Sequence, residues 1–425
     1  MMPTPSARVV AVGLLLVGCL AACTGNPPTG SPSVPQPAEP SASTPPNAAP
    51  AAASSAAPDS APVPGSSAAA APYAHTGAND LTGPALTARH LVYVPSQLAD
   101  TVQVIDPATY TVVSRFRVGR SPEHVVPSHD LSTLWVNSDA GDSMTPIDPA
   151  TGQPKTAVAV TDPYNLYFTP DGRYALVMAE RLQAIVVRDA TTMALVRTLP
   201  LPCRGINHAD FSADLTTLVA SCEFSGQLIV VDADATHLVK VVDLNGIATP
   251  GATSPAMAHQ MGGPRMNLAA GASAMPQDVR LSPDGRWFLA ADMLRNGVWV
   301  IDAHTLEYSR FVPTGTGAHG IYPSRDATAM YVSNRDAGTV SVLDAHTLDQ
   351  TALWTVPGGG SPDMGGVTVD GTELWLSGRY NSVVYVFDTR TGQVTHRIPV
   401  DAGPHGLLVW PQPGRISLGH TGNMR

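Results

Sequence analysis

Residues 300–306 read VIDAHTL and residues 342–348 read VLDAHTL, and this pair of phrases decides the fold. Five further copies of the pattern occur along the chain, each an aliphatic residue, any residue and Asp, usually with Thr three residues later. The seven aspartates are Asp106, Asp148, Asp189, Asp232, Asp302, Asp344 and Asp388. Their spacings are 42, 41, 43, 70, 42 and 44 residues. The repeat therefore has a period near 42, with one insertion of about 28 residues.

A period of this length, with four short apolar segments in each repeat, is typical of β-propeller blades. We therefore predict an all-β fold, a seven-bladed β-propeller with four-stranded blades. The chain begins in the middle of a blade, because residues 90–96 and 101–105 read as second and third strands. The missing inner strand is expected from residues 406–410. The C-terminal strand would then pair with the N-terminal blade and leave no free sheet edge.

The repeated aspartates are expected to stabilise turns and not to catalyse a reaction. An Asp carboxylate accepts hydrogen bonds from backbone N–H groups of its own turn, and the Thr closes the turn from the other side. A turn residue has to recur in every blade, whereas a functional residue does not. Function must therefore be sought at positions that vary between the repeats.

The first 72 residues have the composition of a leader followed by a tether. Residues 1–23 carry one cation, Arg8, ahead of a short apolar run that ends in LAAC, and we predict a lipoprotein signal peptide there. Residues 24–72 are mostly Pro, Ala and Ser, which cannot bury enough apolar surface to fold, so a disordered tether is expected. The propeller is predicted over residues 73–425, with the insertion at about 246–275.

The LAAC sequence resembles the lipobox of bacterial lipoproteins. That resemblance implies cleavage before Cys23 and lipidation of Cys23. The protein would then be anchored to a membrane of the cell envelope and face the periplasm or the exterior, and in a Gram-negative cell the membrane would be the outer one. The alternative is an ordinary secretory signal in which Cys23 is incidental.

Two cysteines, Cys203 and Cys222, fall in the predicted propeller, and both belong to its fourth blade. The first precedes the inner strand and the second ends the next, antiparallel strand, so they are expected to lie close together. In an exported protein such a pair is expected to form a disulfide. The alternative is two buried free thiols.

The charge of the chain argues against one class of partner. The formal net charge is −10, with 24 Lys and Arg residues. Binding to nucleic acid requires a clustered basic surface, so no nucleic-acid partner is expected. The expected partners are a membrane, through the lipid anchor, and an unknown protein or small molecule.

Several strand segments carry a family resemblance. Residues 330–334 (MYVSN), 134–138 (LWVNS) and 91–95 (LVYVP) resemble the Tyr-Val-Thr-Asn repeat of the YVTN β-propeller family. Residues 282–286 (SPDGR) and 403–406 (GPHG) match the turn and the inner-strand opening of that family. The resemblance implies a seven-bladed fold in an exported or surface protein, but no particular activity, because propellers host many. By architecture the fold is also similar to the haem d1 domain of cytochrome cd1 nitrite reductase, the copper-cluster domain of nitrous oxide reductase and lactonases of the 6-phosphogluconolactonase type.

The candidate binding residues open the inner strands. Connections from each outer strand to the next inner strand fall on one face of a propeller, around the mouth of its channel. A purely structural position there would be apolar and uniform, yet the aligned repeats place His, carboxylate and amide residues at it. The candidates are Glu123, His124, Asn165, His208, Asp278, His319, Asp363 and His405.

The insertion joins the same face and contains candidate metal ligands. These are Met257, His259, Met261 and Met266. Thioether and imidazole groups suit copper(I), so copper is the candidate cofactor, and the histidines at the mouth would complete the site. The alternative is that the methionines form a pliable apolar cover and the histidines hydrogen-bond the backbone between blades.

Three functional hypotheses follow. The first is a binding or scaffold module without catalysis, which requires nothing beyond these features. The second is a propeller that binds copper or another cofactor. The third is a lactonase-like hydrolase with Glu123 or Asp278 as its base. The chain has no CxxCH, Gly-x-Ser-x-Gly, HExxH or phosphate-loop motif, so no catalytic residue is assigned and a non-enzymatic role is favoured.

Overall fold

Seven antiparallel sheets surround a channel in the computed structural model of the protein, which describes residues 71–250, 268–420 and 422–425. The first strand of each sheet lines the channel, and each of these inner strands contacts the inner strands of the neighbouring blades. The predicted fold class, an all-β seven-bladed propeller with four-stranded blades, is confirmed. All described residues belong to one compact unit, Ser66–Arg425.

The blades are numbered from the N-terminus, and their strands are given from the channel outwards. Blade 1 comprises Leu408–Trp410, Leu91–Ser96, Thr101–Asp106 and Thr111–Arg117. Blade 2 comprises Pro122–Pro127, Leu134–Ser138, Ser143–Asp148 and a divided outer strand, Gln153–Pro154 with Val158–Ala159. Blade 3 comprises Asn165–Phe168, Tyr174–Ala179, Ala184–Asp189 and Leu195–Pro200. Blade 4 comprises Ile206–Phe211, Thr217–Cys222, Gln227–Asp232 and Leu238–Asp243. Blade 5 comprises Pro276–Leu281, Trp287–Asp292, Gly297–Asp302 and Tyr308–Pro313. Blade 6 comprises Ala318–Pro323, Ala329–Asn334, Thr339–Asp344 and Gln350–Thr355. Blade 7 comprises Pro362–Val367, Glu373–Gly378, Val383–Asp388 and Val394–Pro399. A single short 3-10 helix, Gly83–Thr87, precedes blade 1 in the described part of the chain.

The ring closes as predicted. Leu408–Trp410 pairs antiparallel with Leu91–Ser96, with Leu91 opposite Trp410. The second strand of this blade is buried on both faces, because Tyr93 packs into the core shared with blade 2 and Val92 into the core shared with blade 7. Each blade thus buries its apolar side chains against two neighbours, which explains why the middle strands read as nearly continuous apolar runs.

The hydrogen bonds expected of the repeated aspartates are present. Asp302 is representative: its Oδ1 accepts from the backbone N–H groups of His304 at 3.0 Å and Thr305 at 2.8 Å, and from the Thr305 hydroxyl at 3.1 Å. These bonds, led by the Thr305 amide, hold the pKa of Asp302 below its ordinary value. The repeated aspartates are turn residues at the propeller surface.

The predicted disulfide is present in blade 4. Cys203 is bonded to Cys222, with their Cα atoms 6.0 Å apart and both side chains buried. Cys203 precedes the inner strand Ile206–Phe211, and Cys222 ends the strand beside it. The bond therefore ties the start of an inner strand to its own blade.

The end of the channel opposite the mouth is covered by two segments that the repeat does not predict. One is the N-terminal stretch of residues 71–90, where the Tyr73 hydroxyl donates to the Leu281 carbonyl at 2.9 Å. The other is the C-terminal tail, residues 411–425, where Leu418 accepts from the Phe168 amide at 3.0 Å. The two segments meet in a short bridge between Leu81 and Gly414. The channel is thus closed at its base.

Some predicted features lie outside the described residues. These are the leader and most of the tether with Cys23, and the insertion residues Met257, His259, Met261 and Met266. The two ends of the insertion meet on the mouth side, because Asn245 Oδ1 accepts from the Ser273 amide at 2.7 Å. In the part of the chain that the structure describes, no helix is long and apolar enough to cross a membrane.

Candidate functional site

The eight candidate residues lie just inside the channel mouth, at or beside the starts of the inner strands. None of them is more than 2% exposed. The strand geometry explains this position, because the side chains that open seven inner strands point towards a common axis. They form a buried polar cluster within the channel and not an exposed rim.

Two of the eight accept hydrogen bonds from backbone amides through their side chains. Asn165 Oδ1 accepts from the Leu166 amide at 2.9 Å. Asp278 Oδ2 accepts from the Ile321 amide of the next blade at 2.9 Å, and Arg280 stands 3.4 Å from the same oxygen. Burial raises the pKa of Asp278 to about 6, although Arg280 opposes this. Asp278 therefore braces blades 5 and 6.

Three histidines form the centre of the cluster. His124 of blade 2 and His208 of blade 4 have ring centroids 5.2 Å apart, and the ring of His420 lies 4.7 Å from each. One ring nitrogen from each histidine lies within 4.8 Å of the other two. His420 belongs to the C-terminal tail, and its amide donates to the Leu166 carbonyl at 3.1 Å.

The ring nitrogens of His124 and His208 are chemically unusual. All four are buried without a hydrogen-bond partner, and each such atom costs about 1–3 kcal/mol of desolvation. Burial lowers the pKa of His124 to about 3 and holds the pKa of His208 and His420 well below the ordinary value. The rings of His124 and His208 are therefore neutral at pH 7, and each carries one lone pair on a ring nitrogen, which is the state that binds a metal ion.

A glycine sets the position of the His124 ring. Gly406 forms a short bridge with His124, and a Cβ built on Gly406 would lie 2.8 Å from Cγ and Cε1 of that ring and closer still to Nδ1. No other residue type leaves room for the ring. The pair His405-Gly406, just before the closing strand, thus contributes one histidine to the cluster and leaves space for the ring of His124.

A second group stands beside the three histidines. The His405 ring lies 4.9 Å from His124, and its Nδ1 is 2.8 Å from Glu123 Oε2. The other Glu123 oxygen accepts from Gln97 at 2.6 Å and Ser121 at 2.9 Å. Burial raises the pKa of Glu123. His319 and Asp363 lie next to His405 in this group.

A second ring of variable residues encircles the mouth, and alignment of the strand openings misses it. Each member stands nine residues before a repeated aspartate, in the turn after the second strand. We call this ring the collar; its members are Gln97, Asp139, Glu180, Glu223, Met293, Arg335 and Arg379. It is acidic on blades 2 to 4 and basic on blades 6 and 7. Burial, followed by the charge of Glu223, raises the pKa of Glu180 well above its ordinary value.

The profile of the YNCE-like β-propeller family matches residues 55–246 and 257–413. The chain belongs to this family. No curated protein sequence matches the chain.

Solved structures with the same fold are distant in sequence. A functionally unknown protein from Desulfotomaculum acetoxidans aligns with a TM-score of 0.56 and 17% identity over 75% of this chain and 98% of its own. A putative 6-phosphogluconolactonase from Bacteroides uniformis aligns with a TM-score of 0.55 and 17% identity over 75% and 99%. The dihydro-haem d1 dehydrogenase NirN, solved in complex with DHE, aligns with a TM-score of 0.53 and 17% identity over 76% and 75%. At these identities the similarity shows the fold alone.

Sequence reasoning missed His420 in this YNCE-like propeller. The tail has no counterpart in the repeats, so no alignment of blades could place it. The one available signal is its composition, because Ser417, His420, Asn423 and Arg425 are polar residues after the last predicted strand. All four side chains are buried in the channel.

Proposed function

We propose that this YNCE-like propeller binds a transition-metal ion in its channel through His124, His208 and His420. One observation carries the proposal: the four ring nitrogens of His124 and His208 are buried beside His420 without hydrogen-bond partners. A bound ion would accept one lone pair from each ring and offset the desolvation of the nitrogen that carries it.

The ligand set narrows the identity of the ion. Three neutral imidazoles suit zinc and copper, and three protein ligands leave a further coordination position open. Copper(I) is favoured if the insertion residues Met257, His259, Met261 and Met266 add thioether or imidazole ligands from the mouth face. Zinc is favoured if the three channel histidines act alone.

Metal analysis of the full chain, purified without a chelating tag, tests the proposal. We expect a bound transition metal at one ion per chain or more, and a rise in melting temperature when zinc or copper is added to stripped protein. An ion at 100 times its Kd stabilises the folded state by about 2.7 kcal/mol. His208→Ala should abolish this gain at the three-histidine site.

The matched control is His346→Ala, because the His346 side chain is 76% exposed and far along the chain from the cluster. It should bind metal as the wild type does. A wild-type chain that carries no metal, and gains no stability from zinc or copper, would refute the proposal.

A binding or scaffold role is the second candidate. The turns between second and third strands face the mouth, and they expose Leu98 to 72%, Leu182 to 52% and Tyr380 to 48%. Such side chains suit a protein or small-molecule contact. A chain without metal would favour this role. A lactonase-like hydrolase has less support, because both oxygens of Glu123 are already hydrogen-bonded and Asp278 braces the blades.

We also propose that the protein is exported and anchored to a membrane of the cell envelope through Cys23. Two features support this. The LAAC sequence resembles a lipobox, and a disulfide such as Cys203–Cys222 persists in an oxidising compartment. Fractionation of cells that produce the wild type and Cys23→Ala tests the anchor.

A further inference from the structure

A second set of ligand atoms lies in the channel beside the three histidines. His319 of blade 6, Asp363 of blade 7 and His405 of the closing segment each offer one atom, and these atoms lie within 4.8 Å of one another. The three side chains are at most 3% exposed. None of these atoms belongs to the site proposed above.

Each of the three side chains has a buried polar atom that lacks a hydrogen-bond partner. These atoms are His319 Nδ1, Asp363 Oδ2 and His405 Nε2. His319 Nδ1 does stand 3.1 Å from Asp363 Oδ1, but not in hydrogen-bond geometry, and that oxygen already accepts from Arg335 at 2.9 Å and 2.6 Å. Two imidazoles and one carboxylate thus lie close together in the channel, and each has a buried polar atom that makes no hydrogen bond.

Neighbouring groups orient these ligands. Glu123 Oε2 contacts His405 Nδ1 at 2.8 Å, which directs Nε2 of that ring towards Asp363. Arg335 holds the opposite oxygen of Asp363 and leaves Oδ2 available. A carboxylate behind a histidine is the usual outer-shell arrangement of a metal site.

The charges around this point allow a cation. Arg335 is paired with Asp363, and Arg379 stands 3.8 Å from Glu123 Oε2 and donates to Gln97 at 2.8 Å. Each of the two arginines thus stands beside a carboxylate, so neither presents an unpaired positive charge to an ion at this point.

We propose that His319, Asp363 and His405 bind a second metal ion, so that the channel holds two ions side by side. The inference deepens the proposed function and rests on it for the first ion only. Two imidazoles and one carboxylate form a harder ligand set than three imidazoles, and this set suits zinc, iron(II) or manganese(II). The adjacency of His405 and His124, with ring centroids 4.9 Å apart, places the two sites against each other.

Native mass spectrometry of the full chain, stripped and then titrated with zinc, tests this proposal. Zinc is the probe because thioether groups bind it poorly. We expect two ions on the wild type and on His346→Ala, one on His319→Ala, one on His208→Ala, and none on the double variant His208→Ala/His319→Ala. Circular dichroism melts of the stripped proteins establish that each variant is folded, and His405→Ala provides an independent loss of the second site.

The outcomes separate the two proposals. One ion that is lost in His208→Ala but kept in His319→Ala would overturn the second site and leave the first. One ion that is lost in His319→Ala but kept in His208→Ala would support the second site and refute the first. Titration with cobalt(II), followed by its visible absorption, should give the same number of bound ions. If neither zinc nor cobalt(II) binds, both proposed sites are wrong.

Discussion

Replacement of Gly406 by Ala should remove His124 from the metal site while the propeller remains folded. The added Cβ would lie 2.8 Å from two ring carbons of His124 and closer to Nδ1, whereas ordinary contacts begin near 3.4 Å. The ring must therefore move by roughly an ångström. Metal–ligand distances tolerate changes of about 0.2 Å, so this displacement breaks the bond from His124 to the ion.

The expected size of the effect comes from two terms. Displacement of a ligand should weaken zinc binding by about 100-fold, the upper range for changes that only misplace a ligand. Overpacking should lower the free energy of unfolding of the metal-free protein by about 1–3 kcal/mol. Gly406 does not have a positive φ, so no backbone strain is added.

Competition with a chromophoric zinc chelator measures the affinity, and denaturant titration measures the stability. The matched control is Gly366→Ala in the inner strand of blade 7, where the new Cβ would meet its nearest atom at 3.7 Å. That variant should bind zinc and unfold as the wild type does. If Gly406→Ala also bound zinc with wild-type affinity, the assignment of His124 as a ligand would be wrong.

Further predictions concern stability, pH and location. Cys203→Ser with Cys222→Ser should lower the free energy of unfolding by about 3 kcal/mol, because the bond closes a loop of about 20 residues; guanidinium titration checks this, and equal midpoints would contradict it. Each buried histidine, such as His124 with a pKa of about 3, should lower the stability of the metal-free protein as the pH falls below about 6.5, because the unfolded chain takes up a proton that the buried ring does not; buried carboxyls with a raised pKa, such as Asp278 at about 6, act in the opposite direction. Each such histidine contributes up to about 1.4 kcal/mol per pH unit, so denaturant titrations at pH 7.5 and 5.5 should show that His208→Ala loses less stability, or gains more, than the wild type when the pH is lowered. Cys23→Ala should move the protein from the membrane fraction to the soluble fraction and abolish palmitate labelling; an unchanged membrane fraction would exclude the lipid anchor.

The fold could be predicted because its determinants are local and repeated. The repeated aspartates bond to amides close to them in sequence, within three residues in copies such as Asp302 and four to five residues on at Asp232, so nearly the same short phrase recurs at every third-strand turn. Counting from these aspartates gives the strand register, and the register gives the candidate positions at the mouth. Ring closure follows from the one strand that blade 1 lacks.

The site was only partly predictable because its determinants are not repeated. Counting nine residues back from each aspartate would have revealed the collar, including Arg335 and Arg379, but the strand openings alone did not. His420 could not be found by alignment, because the tail folds back into the channel through contacts with several blades. The need for glycine at position 406 could not be predicted either, because the side chain for which it leaves room is His124 of blade 2, which is distant in sequence.

Closure of the ring and assembly of the candidate metal centre depend on the same short segment. Within residues 405–420, Leu408–Trp410 completes blade 1 and Gly406 makes room for His124, while His405 and His420 would each supply a ligand to one of the two proposed sites. The histidines of blades 2, 4 and 6 therefore converge with their partners only after the C-terminal segment has docked. An ion in either proposed site would connect the C-terminal segment to the blades, so we expect metal binding to stabilise the closed ring. The residues common to all blades build the channel, and the residues that differ between blades line it together with the C-terminal segment.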